Sequence, residues 1–198
     1  MKWLCLGGSF DPIHVGHVIC ARDTARQIGA DGVRIIPAAL NPHKVSNAKL
    51  TPATSRLTMC QLAIAGLSNI VVDDRELRRP PPSYTIETVL DLRATLPTGD
   101  TVAWLVGTDH IARLHTWHRF DELIQLADMV VMHRAGHPIL AQGIPDAVQA
   151  LVQKAVTVPE IGVSSTAIRT RVAQSQPING MVHPAVGRFI RENDLYRL

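Results

Sequence analysis

Gly7-Gly8-Ser9-Phe10-Asp11-Pro12-Ile13-His14-Val15-Gly16-His17 connects a short apolar run to a helical pattern near the start of the chain. The apolar run, Trp3 to Leu6, ends at two glycines, and apolar residues then recur at helical spacing over Val15–Ile28. The glycines let the backbone approach a ligand closely, and the helix N-terminus offers unpaired N–H groups to an anion. The two histidines, three residues apart, lie on roughly one face of the helix. The stretch therefore predicts a phosphate-binding turn between a buried strand and a helix.

Two commoner phosphate-binding motifs are missing here, since the chain lacks G-x-x-x-x-G-K-[ST] and no G-x-G-x-x-G follows the first strand. Two other interpretations of His14 and His17 stay open: both could simply cap the helix, or both could bind zinc. Zinc would need a third protein ligand and an open position, and it would leave the glycines unexplained. Phosphate binding is therefore the favoured interpretation.

Short apolar runs alternate with longer helical patterns along the chain, which predicts an α/β fold with a doubly wound, mostly parallel sheet. Strands are predicted at Trp3–Leu6, Val33–Ile36, Ile70–Val72, Val102–Val106, Met129–Met132 and Val156–Val158. Helices are predicted at Val15–Ile28, Pro52–Ala65, Thr85–Leu96, Phe120–Ala127, Asp146–Lys154, Ser165–Ala173 and Pro184–Glu192. We expect residues 1–198 to form a single domain with a small C-terminal helical part.

Ligands of such a sheet bind beyond the carboxyl ends of its strands, where the strand order reverses. Strand two leads into Asn41–Lys44 and strand four into Gly107–His110, so we expect both segments beside the histidine turn. Asn41–Lys44 could instead be a polar surface turn, and Thr108 or Asp109 could simply cap a helix.

A third candidate anion site lies at Val163–Arg169, where three hydroxyl side chains precede an arginine at a predicted helix start. Backbone N–H groups, hydroxyls and Arg169 could all donate hydrogen bonds to one phosphate group. The alternative is an ordinary Ser/Thr cap with a solvated arginine.

Composition restricts the class of protein. Of 198 residues, 46% are hydrophobic, 4% aromatic and 19% charged, which is typical of a globular α/β protein. The net charge is +3, and sixteen of the twenty cationic residues are arginine. No arginine cluster is longer than Arg78-Arg79, so small anions are better candidates for the ligand than a nucleic acid.

No apolar run is long enough for a membrane span or a secretory signal. Cys5, Cys20 and Cys60 are expected to be buried thiols in a cytoplasmic protein.

The sequence His14-Val15-Gly16-His17 matches the H-x-G-H motif of the nucleotidylyltransferases, and further motifs make the chain resemble the bacterial nicotinate-nucleotide adenylyltransferase family over nearly its whole length. Those motifs are G-S-F-D-P-I-H-V-G-H at Gly8–His17, N-P-H-K at Asn41–Lys44, S-Y-T-I-E-T at Ser83–Thr88, G-T-D at Gly107–Asp109, L-H-T-W-H-R at Leu114–Arg119, H-R-A-G at His133–Gly136 and V-S-S-T-A-I-R at Val163–Arg169. Two departures are Asn41, where proline is common, and His110, where asparagine often follows the aspartate.

The resemblance implies that ATP and nicotinate mononucleotide are joined to give the deamido dinucleotide and pyrophosphate, with Mg²⁺ on the triphosphate. It assigns His14 and His17 to catalysis. The implied ATP-binding residues are Gly8, Ser9, Phe10, His14, His17, Lys44, Gly107, Asp109, Ser165 and Arg169. The implied mononucleotide-binding residues are Thr85, Asp109, Trp117 and Arg134, and no protein ligand is assigned to the metal. A homo-oligomer is possible, whereas nucleic acid and membrane partners are not expected.

Rival functions on the same fold are those of pantetheine-phosphate adenylyltransferase and the cytidylyltransferases, which share the first motif. The Ser-Tyr-Thr and Leu-His-Thr-Trp segments count against both. A non-catalytic nucleotide sensor or an RNA-binding protein is the rival of another class, because fold alone does not fix function. The intact histidine pair disfavours the sensor.

Overall fold

The computed structural model describes residues 1–42, 50–136 and 143–197. Six strands form one sheet in the order β3-β2-β1-β4-β5-β6, and every pairing between neighbours is parallel. The strands are β1 (Lys2–Gly8), β2 (Gly32–Pro37), β3 (Ile70–Val72), β4 (Thr101–Gly107), β5 (Asp128–Arg134) and β6 (Val156–Val158). The predicted doubly wound α/β sheet is confirmed, and each predicted strand lies within an observed one.

The seven predicted helices are present, with ends that differ from the prediction by no more than two residues. They are α1 (Val15–Gln27), α2 (Ala53–Ala63), α3 (Thr85–Thr95), α4 (Phe120–Leu126), α5 (Asp146–Val152), α6 (Ser165–Ala173) and α7 (Pro184–Glu192). Two 3-10 helices, Arg75–Arg78 and Thr108–Thr116, were not predicted. Arg75–Arg78 is only four residues long, too short for a periodic pattern. Thr108–Thr116 does carry a helical signal, since Ile111 and Leu114 are buried three residues apart, and the sequence prediction missed it.

Side chains of the central strands alternate between two hydrophobic cores, one on each face of the sheet. Leu4 belongs to the core under α1, α2, α6 and α7, whereas its neighbour Cys5 belongs to the core under α3, α4 and α5. Both residues are fully buried. Burial on both faces explains why these strands are continuous apolar runs. The three cysteines, Cys5, Cys20 and Cys60, are free thiols and are buried, as predicted.

The strand order places the carboxyl ends of β1 and β4 side by side at the centre of one edge of the sheet. The chain moves from β1 outward to β3 and then returns to β4, so the gap between β1 and β4 is the point where the order reverses. Gly8 ends β1 and Gly107 ends β4, and their following loops border this gap. Among the residues described, no helix is long and apolar enough to cross a membrane.

Candidate active site

A cavity of about 790 Å³ opens at this edge of the sheet. Its lining includes most of the residues that the sequence predicted for a ligand site: Gly8, Ser9, Phe10, His17, Thr85, Gly107, Asp109, Trp117, Arg134, Ser165 and Arg169. His14 is not part of the lining, and Lys44 lies outside the described residues. Five segments that are distant in sequence therefore meet around one volume large enough for nucleotides.

His14 and His17 form a stacked pair at the start of α1. Their ring centroids are 3.6 Å apart with an interplanar angle of 24°, and the edge of Phe10 packs against the His17 ring at 5.0 Å. The backbone N–H of His14 donates to Nδ1 of His17 at 3.2 Å. A neutral imidazole that accepts at Nδ1 carries its proton on Nε2. His17, which lines the cavity, therefore has its donor on Nε2.

His14 lies deeper than His17 and is only 9% exposed. Burial, and to a lesser extent the nearby guanidinium of Arg134, lowers the pKa of His14 to about 4. His14 is therefore neutral near pH 7. Positive charge at this part of the cavity therefore comes from arginines such as Arg134, at the end of β5, and not from His14.

Gly16 is required by the close packing of the histidine pair. A Cβ at this position would lie 3.1 Å from Nδ1 and 3.2 Å from Cε1 of His14. Those distances are tighter than ordinary contacts, and the residue before it, Val15, is held by a hydrogen bond from its N–H to the Met181 carbonyl at 3.0 Å. A side chain at Gly16 would therefore require the His14 ring to shift by a few tenths of an ångström.

Arg56 of α2 fixes the turn that precedes the histidines. It is 1% exposed, and its Nη1 donates to the carbonyls of Ser9 and Ala38, both at 2.7 Å. Its Nε and Nη2 donate to the carbonyls of Thr51 at 3.0 Å and Ala39 at 3.3 Å. Four backbone acceptors satisfy a buried guanidinium, whose pKa burial lowers. Arg56 thus joins the loops after β1 and β2.

The start of α6 also faces the cavity, but its hydroxyls already have partners. Ser164 caps the helix by accepting from the Ala167 N–H at 3.1 Å, and the Ser165 hydroxyl donates to the Pro12 carbonyl at 2.8 Å. A serine hydroxyl has one proton, so Ser165 can donate to a phosphate only by releasing Pro12. The Ser/Thr cap, which was the alternative interpretation of this segment, is therefore present, and a phosphate contact of Ser165 stays a prediction.

Arg169 reaches from α6 to the loop after β1. Its Nη1 donates to the Asp11 carbonyl at 2.7 Å, and its Nη2 donates to the Thr166 hydroxyl at 3.3 Å. Within residues 1–42, 50–136 and 143–197, no carboxylate lies within 4.0 Å of Arg169 or Arg134. Two guanidinium charges without a carboxylate partner therefore border the cavity, which favours an anionic ligand.

At the other end of the cavity, α3 begins at Thr85, and its N-cap residue Tyr84 makes no side-chain capping bond. The free N–H groups of this first turn are open to an acceptor. Tyr84 packs against the His118 ring at 4.5 Å, and Trp117 also lines this end. The end is therefore aromatic with a helix N-terminus, a combination suited to a flat ring that carries a negative group.

Asp109 has a largely exposed side chain whose carboxylate lies close to the backbone at the end of β4. A Cβ at Gly107 would lie 2.4 Å from its Oδ1, so only glycine permits this position of the carboxylate. The other oxygen, Oδ2, lies 3.4 Å from Nε2 of His110, and the His110 ring packs edge-on to Trp117 at 6.0 Å. His110, one of the two departures from the family pattern, thus contacts both proposed ligand residues.

Sequence reasoning missed Glu76, whose carboxyl lines the cavity although the residue is 4% exposed. The Thr88 hydroxyl donates to its Oε1 at 2.6 Å, and Nη2 of Arg79 donates to the same hydroxyl at 2.6 Å. Burial raises the pKa of Glu76, and its hydrogen bonds with Thr88 and Ser83 act against that rise. Glu76 lies in a 3-10 helix that no pattern predicted, so no signal pointed to it.

Comparisons with known proteins identify the family of this chain. The sequence model of the cytidylyltransferase-like family matches residues 5–171. A probable nicotinate-nucleotide adenylyltransferase of Dehalococcoides mccartyi is 35% identical over 99% of this chain and 97% of its own length. Another from Pseudomonas fluorescens is 36% identical over 97% of this chain and 95% of its own length.

A solved structure shares the fold at low sequence identity. Plasmodium falciparum nicotinic acid mononucleotide adenylyltransferase, complexed with NaAD, superposes with a TM-score of 0.75 at 19% identity, covering 98% of this chain and 97% of its own. With relatives at this identity over almost the full length, the chain belongs to the cytidylyltransferase-like family and, within it, to the nicotinate-nucleotide adenylyltransferases.

Proposed function

We propose that the protein transfers the adenylyl group of ATP to nicotinate mononucleotide, releasing pyrophosphate and forming the deamido dinucleotide. The observation that carries the proposal is the single cavity that joins a cationic, histidine-bearing end to an aromatic end with a helix N-terminus. The first end suits a triphosphate and the second suits nicotinate. Relatives of almost equal length carry the name of this activity.

In the proposed reaction, a phosphate oxygen of the mononucleotide attacks the α-phosphorus of ATP and pyrophosphate leaves. That oxygen is ionised at neutral pH, so the reaction needs no general base and no protein nucleophile. The chain's contribution is to hold the two substrates in line and to stabilise charge that develops on the transferred group. Nucleophilic thiols play no part, because burial raises the pKa of both Cys5 and Cys60 to about 12.

Phosphate contacts are assigned to the residues at the cationic end. Nε2 of His17 donates to an oxygen of the reacting phosphate, and Arg169 and Arg134 supply charge. His14 supports the His17 ring by stacking and offers a phosphate only the small part of its surface that is exposed. Gly8, Ser9, Phe10 and Gly107 shape the site, and Lys44 would add a further cation to the triphosphate.

Nicotinate contacts are assigned to the other end. The ring stacks on Trp117, its carboxylate accepts hydrogen bonds from N–H groups in the first turn of α3 near Thr85, and Asp109 accepts from a ribose hydroxyl. Arg134 would reach the mononucleotide phosphate at the junction of the two ends. Glu76 also lines the cavity, where the Thr88 hydroxyl donates a hydrogen bond to its carboxyl group.

Mg²⁺ belongs to this proposal as a companion of ATP. No group of three His, Cys, Asp or Glu side chains within the described part of the chain could hold a metal ion, so the ion would be held by phosphate oxygens and water. When bound, Mg²⁺ neutralises charge on the triphosphate. A cytoplasmic location, where ATP is available, also belongs to the proposal.

A pyrophosphate-release assay tests the proposed function. Purified protein is supplied with Mg²⁺ and ATP together with nicotinate mononucleotide, nicotinamide mononucleotide or pantetheine phosphate, and separately with CTP in place of ATP. We expect rapid release only with ATP and nicotinate mononucleotide, and a dinucleotide of the expected mass. Faster turnover with pantetheine phosphate would indicate a pantetheine-phosphate adenylyltransferase, and faster turnover with CTP would indicate a cytidylyltransferase. No turnover with any pair of substrates would favour a non-catalytic nucleotide sensor.

A further inference from the structure

Asp11 is the one charged residue of the opening motif that has no role in the proposed substrate contacts. It is 7% exposed and lies between the turn after β1 and the start of α2. Its Oδ2 accepts from the Thr51 N–H at 3.3 Å, and its Oδ1 accepts from the Tyr196 hydroxyl at 2.7 Å. A buried carboxylate is stable only when such donors satisfy it. The hydroxyl comes from a residue 185 positions further along the chain.

The backbone of the same residue holds α6. The Asp11 carbonyl accepts from Nη1 of Arg169 at 2.7 Å, and the carbonyl of the next residue, Pro12, accepts from Ser165 at 2.8 Å. Asp11 is therefore bound on both sides: its side chain is held by Tyr196 and its main chain holds Arg169. A shift of Asp11 would move the guanidinium that we assign to the triphosphate.

Tyr196 is brought to Asp11 by an unusual turn after α7. Asp194 and Tyr196 adopt left-handed backbone angles, with φ of 48° and 64°, although neither is glycine. Such angles are unfavourable for residues with a side chain and persist only where the surrounding structure enforces them. The Leu195 N–H donates to the Ile190 carbonyl at 3.0 Å within this turn. Burial raises the pKa of the Tyr196 phenol, so the hydroxyl stays protonated and able to donate.

We propose that Tyr196 is a positioning residue for the phosphate-binding end of the cavity, acting through Asp11 on Arg169. The inference rests on the proposed function only in assigning Arg169 to the triphosphate. Its alternative is a purely structural role, in which Tyr196 anchors the end of the chain by packing on the core that also contains Leu4 and Met59. The two roles differ in what the hydroxyl does, since the ring alone can supply the packing.

Tyr196→Phe separates these roles because it keeps the ring and removes only the hydroxyl. The matched control is Arg197→Ala, which removes the exposed Arg197–Asp194 ion pair from the same turn and leaves the phenol in place. For each protein the dissociation constant of Mg²⁺-ATP is measured by quenching of tryptophan fluorescence, since Trp104 and Trp117 line the cavity. Melting temperature and the KM for nicotinate mononucleotide are measured beside it.

We expect Tyr196→Phe to weaken ATP binding about fivefold, less than the full effect of losing a hydrogen bond to a charged group, because the phenol acts on ATP only through Asp11 and Arg169. The KM for the mononucleotide should stay within about twofold. Arg197→Ala should bind ATP as the wild type does. Asp11→Ala removes both side-chain acceptors and keeps the main-chain carbonyl that accepts from Arg169, so it should also weaken ATP binding. The double variant Asp11→Ala/Tyr196→Phe should be little worse than Asp11→Ala alone, because the two changes remove the same hydrogen bond.

Wild-type ATP affinity in folded Tyr196→Phe, or additive effects in the double variant, would overturn the inference. Should Tyr196→Phe not fold, Asp11→Ala alone decides, with unchanged ATP affinity as the contrary result. These outcomes are distinct from failure of the proposed function, which would appear as wild-type protein that forms no dinucleotide. The ATP affinities can still be compared in that case, because the binding measurement uses no mononucleotide.

Discussion

Replacing His17 by alanine removes the donor that we assign to the reacting phosphate. We expect the variant to fold, because the contacts of this ring with the described residues are modest. The ring accepts a hydrogen bond from the His14 N–H at 3.2 Å and packs against the rings of His14 and Phe10. These are worth about 1–3 kcal/mol, less than the 5–15 kcal/mol by which domains are usually stable. A donor aimed at developing charge in a cavity that excludes water is worth about 2.7–4 kcal/mol of transition-state stabilisation.

We therefore expect kcat to fall by about 10² to 10³ while the melting temperature drops by only a few degrees. The assay is pyrophosphate release at saturating ATP and nicotinate mononucleotide. The control is His115→Ala, because His115 is exposed and lies outside the cavity lining on the 3-10 helix Thr108–Thr116. Folded His17→Ala with a kcat within about threefold of the wild type would refute the role given to this histidine.

Three further predictions concern stability and ATP binding. Arg56→Met leaves four carbonyls without their hydrogen-bond donor, so we expect the free energy of unfolding, measured in urea, to fall by about 2–4 kcal/mol. A fall of under about 1 kcal/mol would contradict the structural role given to Arg56. Arg169→Lys cannot reproduce a planar fork, so ATP should bind about tenfold more weakly in calorimetry, and unchanged affinity would remove Arg169 from the site. His14 takes up a proton near pH 4 when folded but near pH 6.5 when unfolded, so the free energy of unfolding falls as pH is lowered through that window. In urea unfolding, the wild type should lose about 2 kcal/mol more than His14→Gln between pH 6.5 and pH 5. Equal losses in the two proteins would refute the buried neutral imidazole.

The fold could be predicted because both cores impose strong patterns on the sequence. Strands buried on two faces are continuous apolar runs, and helices between them repeat with a period of 3.6 residues, so all six strands and seven helices were found. The histidine turn was found for a related reason, since two glycines and a helix start are visible without any tertiary contact. Gly16 and Gly107 mark close approaches that the structure makes explicit.

What sequence could not predict is the set of buried polar residues that support the turn. Arg56 lies in a helix where an arginine ordinarily faces solvent, and nothing local distinguishes it from its exposed neighbours. Tyr196 meets Asp11 across 185 residues, and such pairings depend on the assembled fold. The hydroxyls of α6 were expected to face a phosphate, whereas Ser165 donates to Pro12, because a carbonyl of the opening turn lies within its reach.

The choice between two mononucleotides tests the central claim most directly. Nicotinate carries a carboxylate and nicotinamide a neutral amide, and the first turn of α3 offers N–H donors and the positive end of a dipole to that group. An amide would set its own NH₂ against those donors. We predict that kcat/KM for nicotinate mononucleotide exceeds that for nicotinamide mononucleotide by at least about a hundredfold, and that Trp117→Ala lowers both without reversing their order. Equal specificity constants for the two mononucleotides in the wild-type protein would contradict the account.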